Sequence, residues 1–145
     1  MLTILRGTFL AFSFYIIGAS LNANACSFSL QYGGGMARSA TELSNVDRLA
    51  LAELLIRVRN SVADGGPVAV YGLADDREGE GVAHKRAQAV AAYLESLGVE
   101  SSRINMETKI WQKDSPVSLK DRNQIEVEFL PACPNGKCKN PCESN

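Results

Sequence analysis

Residues 67–98 read PVAVYGLADDREGEGVAHKRAQAVAAYLESLG. The stretch opens on a short apolar run, Pro67 to Gly72, rich in β-formers and apolar on both faces, the pattern of an interior strand. Leu73 to Gly81 is a polar, glycine-containing loop. From about Val82 to Leu97 the period changes. Ala83, Ala87, Val90 and Leu94 fall on one face of a helix, and the alanines let that face come close to a sheet. Gly98 is a natural residue just past the helix end. A strand, a tight polar loop and an amphipathic helix make a unit that buries one stripe of helix against a sheet.

Upstream, Ser27 to Tyr32 alternates polar and apolar residues and predicts a strand, which Gly33 to Gly35 break. A polar stretch runs to Ser44. Ser44 and Asp47 have the spacing of a capping box, so a second helix is predicted from about Val46 to Val62. Its apolar stripe is Leu51, Leu55, Val58 and Val62, and its charges form a solvated face. Asp64 to Pro67 turns the chain. Downstream, Arg103 to Trp111 alternates and predicts a strand, Gln112 to Lys120 a loop, and Gln124 to Leu130 a strictly alternating last strand. The order β-α-β-α-β-β predicts an α+β, two-layer sandwich with one domain and no internal repeat.

The ends of the chain differ from this middle. Residues 1–25 carry one cation, Arg6, then a short apolar run, and close on Ala23-Asn24-Ala25. That is the pattern of a cleaved secretory signal peptide, and the run is too short to span a bilayer comfortably, which takes roughly 20 residues. Expected boundaries are therefore a signal peptide at 1–25, a domain at 26–130 and a cysteine-containing tail at 131–145. The whole chain has a formal charge of −1. Removal of Arg6 takes the mature chain to −2, with no basic excess to attract nucleic acid.

Four cysteines, Cys26, Cys133, Cys138 and Cys142, are an even number in an exported chain and predict disulfides, with at least one bond from Cys26 to the tail and three pairings open. A zinc site is disfavoured by poor spacing and by the distance of the one histidine, His84. Cys26 has a competing reading as the lipid-bearing residue of a lipoprotein. Ala23-Asn24-Ala25 lacks the leucine-like residue such a signal places before the cysteine, and lipidation would leave three cysteines.

The motifs at Tyr71-Gly72-Leu73-Ala74-Asp75 and Lys85 to Leu94 resemble the OmpA-like C-terminal domain family, which includes the peptidoglycan-associated lipoprotein and the flagellar motor protein MotB. Gly72 and Asp75 match the family's strand-end pattern, and Arg86, Ala87 and Val90 match its helix. Leu97 to Ile104 and Ile125 to Val127 match later segments, so the resemblance covers about residues 26–130. The chain departs from the pattern at Val82-Ala83, in a shorter loop between Asp75 and Arg86, and at Asn123-Gln124, where the family has paired arginines and this chain has Arg122 one step earlier.

The resemblance implies a non-enzymatic, peptidoglycan-binding module of the bacterial periplasm, associated with the outer membrane or an envelope complex. Its ligand would be the diaminopimelate stem peptide. Asp75 would accept the ammonium and Arg86 would grip the carboxylate through its two-pronged guanidinium. The bland alternative is that Asp75 and Arg86 pair with each other at an exposed site, worth only about 0–1 kcal/mol. Asp76, Glu78 and Glu80 read as solvated loop charges, His84 as a surface residue and Trp111 as core or rim packing. No cofactor or metal is expected. The shorter loop and absent arginines favour a different class of function, a protein-interaction domain in an envelope assembly such as a secretion system or pilus. The lone histidine and the adjacency of Asp75 and Asp76 argue against an enzyme.

Overall fold

The computed structural model describes residues 30–138. The predicted signal peptide, Cys26 and Cys142 lie outside the described residues. Strand β1 (Leu30–Gly34), helix α1 (Asn45–Arg59), strand β2 (Val68–Asp75), helix α2 (Glu80–Ser96), strand β3 (Ile104–Trp111) and strand β4 (Ile125–Phe129) follow one another in the predicted order. Among the described residues they form one four-stranded sheet, ordered β1-β4-β2-β3. β2 and β3 are parallel, and β4 runs antiparallel to both β1 and β2.

Both helices lie against one face of the sheet. Leu51, Leu54, Leu55 and Val58 of α1 and Ala87, Val90 and Leu94 of α2 meet Val68, Val70, Ile125, Val127 and Phe129 of the two central strands in one buried cluster. Alternate residues of β2 and β4, including Tyr71, Glu126 and Glu128, face the other way and stay partly exposed or exposed, as period-two side chains must.

The local chemistry explains the element ends. Ser44 accepts from the Asp47 N–H (3.1 Å) and Asp47 accepts from the Ser44 N–H (3.0 Å), completing the capping box of α1. Asp47 is itself buried and accepts the Tyr32 hydroxyl at 2.7 Å, which ties β1 to the start of α1. Burial, then the hydrogen bond and charge of Asp47, push that hydroxyl up to about 12.

Helix α1 ends three residues before the predicted Val62. The Asn60 amide donates to the Ile56 carbonyl and the Ser61 hydroxyl to the Val58 carbonyl, so side chains satisfy the terminal acceptors and stop the helix. At the end of α2, Gly98 adopts φ +91°, its N–H donates to the Glu95 carbonyl, and the Val99 N–H donates to the Leu94 carbonyl. This is a Schellman motif, with Val99 and Leu94 both buried beside it.

Two strand limits differ from expectation. β1 does not break at Gly33 but pairs through Gly34, opposite Ile125. The glycines are there for space: a β-carbon at Gly34 would sit 2.6 Å from the Asp47 carboxylate. β2 runs three residues past Gly72, so Asp75 is the last residue of the strand rather than part of a loop.

Candidate functional site

A cleft of about 570 Å³ lies where β2 ends. Three segments wall it. Gly35, Met36 and Arg38 come from the β1–α1 connection, Asp75 to Glu78 from the β2–α2 connection, and Lys113, Leu119, Lys120, Arg122 and Gln124 from the approach to β4. Gln124 joins two of the walls: its side-chain oxygen accepts the Met36 N–H (2.9 Å), and its own N–H donates to the Gly34 carbonyl (2.8 Å).

The cleft is strongly charged. Five cations (Arg38, Arg77, Lys113, Lys120 and Arg122) face three carboxylates (Asp75, Asp76 and Glu78). Two of the carboxylates are already paired. Asp75 accepts from Arg122 at 2.9 Å, with side-chain exposures of 30% and 6%. Glu78 accepts from Arg86 at 2.7 Å, with exposures of 3% and 0%.

The two sequence-predicted ligand residues therefore occupy different places. Asp75 stands in the cleft wall. Arg86 lies beneath it, fully buried, and does not line the cleft. Its Nε donates to the Ala40 carbonyl (2.9 Å). Nη1 donates to the Leu73 carbonyl (2.7 Å) and the Glu78 carboxylate (3.1 Å), and Nη2 to the Ala37 carbonyl (3.2 Å) and the Glu78 carboxylate (2.7 Å). A guanidinium has five N–H groups, and these five bonds use all of them. The exposed Asp75–Arg86 pair considered above does not form.

Glu78 is not the solvated loop charge that its sequence context suggests. Besides Arg86 it accepts the backbone N–H of Ser39 (2.7 Å) and of Asp75 (3.0 Å). Burial alone would raise its carboxyl. The Arg86 hydrogen bonds, the two backbone donors and the Arg86 charge outweigh burial and hold it at about 2, against an ordinary 4.5. The folded value lies below the unfolded one. The stabilisation is therefore whole above about pH 4.5 and drains away as pH falls toward 2. Urea midpoints measured from pH 7 to pH 2 should fall more steeply for the wild type than for Glu78→Gln over that window. Parallel curves would assign the acid sensitivity to other carboxylates.

Other predicted residues take plain structural roles. Asp76 and His84 are exposed, as predicted. Glu80 is exposed too and accepts the Thr108 hydroxyl at 3.2 Å. Trp111 packs at the rim: its ring N–H donates to the Asn123 carbonyl (2.7 Å), and the Arg122 guanidinium lies 5.5 Å from its ring centre. Cys133 is bonded to Cys138.

Sequence reasoning assigned no role to Arg122. It is 7% exposed, and its three nitrogens donate to the Val117 carbonyl (3.1 Å), Asp75 (2.9 Å) and the Gln112 carbonyl (3.2 Å). Its signal was available as an arginine beside the family's arginine positions. Arg86 also carried a signal, because it falls between Ala83 and Val90 on the apolar stripe of α2, where a charge must find a buried partner.

Solved structures carry the same architecture. The OmpA-like domain of FopA1 from Francisella tularensis superposes with a TM-score of 0.57 at 22% identity, covering 68% of this chain and 69% of that one. The periplasmic domain of MotB superposes with a TM-score of 0.54 at 15% identity, covering 72% of this chain and 64% of that one. No family model matches the chain, and no curated protein does. The chain has the OmpA-like fold.

Proposed function

We propose that the chain is a non-covalent peptidoglycan-binding module of the bacterial envelope, not an enzyme, acting in the periplasm at or near the outer membrane. The observation that carries this is the charged cleft at the end of β2, with Asp75 in its wall. The OmpA-like fold and the motif resemblance support the same position for the ligand. A diaminopimelate side chain ends in an ammonium and a carboxylate on one carbon. Asp75 keeps a third of its side chain open to accept the ammonium. Arg86 serves the site from below in this conformation: it holds Glu78, and through Glu78 the backbone of Asp75 and Ser39. The excess of cations around the cleft suits a stem peptide that carries further carboxylates.

The saturation of Arg86 favours a second reading, a protein-interaction domain in an envelope complex that has lost wall affinity. Co-sedimentation with insoluble peptidoglycan separates the two. The wild type should pellet, and Asp75→Asn should weaken binding about tenfold or more, as loss of a charge-assisted hydrogen bond does. A folded wild type that stays in the supernatant would move the function to protein interaction.

A further inference from the structure

Glu78 does to Arg86 what a ligand carboxylate would do. It lays both oxygens on both terminal nitrogens, and the remaining donors of Arg86 go to three backbone carbonyls. An incoming carboxylate would find no N–H to meet and would have to expel a carboxylate that is itself held by four hydrogen bonds.

Arg122 is in the opposite state. Among the described residues it makes three hydrogen bonds, one from each nitrogen, so one N–H on each terminal nitrogen remains. Both it and Asp75 line the cleft. Asp75 meets Arg122 through one oxygen, Oδ1, and its other oxygen takes no hydrogen bond among the described residues. The guanidinium is also held in place by two backbone carbonyls and the face of Trp111. The cleft wall thus presents an anion and a fixed cation side by side, each with capacity left over. That is the complement of an ammonium and a carboxylate borne on a single carbon.

We infer that the ligand carboxylate in this cleft is held by Arg122, with the neighbouring Asp75 taking the ammonium, and that Glu78 has moved this task away from Arg86. The assignment rests on the peptidoglycan reading above and names the group that the site selects: the zwitterionic α-amino-acid end of the stem's third residue. A lysine in that position offers the ammonium without the carboxylate, so Arg122 makes the cleft selective between the two.

Calorimetric titration tests this with two synthetic stem tripeptides, L-Ala-γ-D-Glu-meso-diaminopimelate and L-Ala-γ-D-Glu-L-Lys, which differ in that carboxylate. The wild type should bind the first about tenfold or more tightly. Arg122→Gln should lower its affinity for the diaminopimelate peptide and bring the ratio between the two peptides close to one, whatever the change in ammonium binding that freeing Asp75 brings to both. Arg122→Lys, which keeps the charge and loses the planar fork, should fall between. Equal binding of the two peptides by the wild type overturns the assignment, as does an Arg122→Gln protein that keeps full selectivity. Pelleting with peptidoglycan but binding neither tripeptide also overturns it, while leaving wall association standing. Failure to bind peptidoglycan at all removes both. Equal binding by the wild type requires no variant, so that outcome overturns the assignment even if Arg122→Gln does not fold, and Arg122→Lys then separates Arg122 from the other cations of the cleft.

Discussion

Arg86→Ala should lower the stability of the domain by about 3–5 kcal/mol, the cost of breaking a buried pair from one side. The size follows from what is left behind. Glu78 would remain buried at 3% exposure without its cation, and the carbonyls of Ala37, Ala40 and Leu73 would lose their donor. A stranded charge in low dielectric is expensive, whereas the intact pair is close to neutral against an apolar substitute. A double variant, Arg86→Met with Glu78→Leu, should therefore recover part of the loss. It should not recover all of it, because the Ser39 and Asp75 N–H groups still lose their acceptor. Ser39 adds to the expectation: it sits at φ +60°, an uncommon backbone state for a residue with a side chain, in the segment that Arg86 and Glu78 hold. Urea denaturation followed by circular dichroism measures both variants against the wild type. A loss below about 1 kcal/mol for Arg86→Ala would mean that the pair is solvated and exchangeable, and would return Arg86 to the list of ligand residues.

This pair marks where the sequence was legible and where it was not. The order of elements along the chain, the capping box at Ser44 and the helix stop at Gly98 depend on spacings of a few residues, and local spacing is what a sequence displays. Helix α1 ended early because Asn60 and Ser61 turn their side chains back onto its carbonyls, a choice that composition alone does not announce. Gly33 and Gly34 looked like a strand break. They are the strand's means of passing close to Asn123 and Asp47, residues 90 and 13 positions away. The site shows the same division. Asp75 was singled out by the strand-end motif it shares with Gly72, whereas the local pattern alone put it in a loop. The partners of Arg86 were not legible, because Ala37 and Ala40 are 49 and 46 residues distant and offer backbone atoms that any residue type would carry. Arg122 reaches Asp75 across 47 residues, so the dyad exists only once β4 has entered between β1 and β2.

Gly72→Ala should cost about 3 kcal/mol or more, at the upper end of what overpacking a core does. Gly72 faces α2 from the middle of β2, paired with Thr108 on one side and Ile125 on the other. A β-carbon there would overlap the Ala83 carbonyl oxygen and crowd the Ala87 nitrogen at 2.7 Å, and both are helix backbone. A flexible side chain could swing aside, but a helix backbone moves only as a body, so the whole of α2 must lift from the sheet. Arg86 lies in that turn of α2 and donates at 2.7 Å to Leu73, the residue after Gly72. The two substitutions should therefore couple, and the Gly72→Ala, Arg86→Ala double variant should lose less than the sum of the singles. Gly81→Ala is the internal control. It lies in the first turn of the same helix, nothing stands within 4 Å of its added carbon, and its φ is not positive. There the same change removes unfolded-chain freedom without a clash and should stabilise by roughly 0.5–1 kcal/mol. Opposite signs for one substitution nine residues apart would show that contact with α2, and not the loss of a glycine, sets the cost. If Gly72→Ala were also neutral or stabilising, the close approach of α2 to β2 would be wrong, and with it the buried position of Arg86 beneath the cleft.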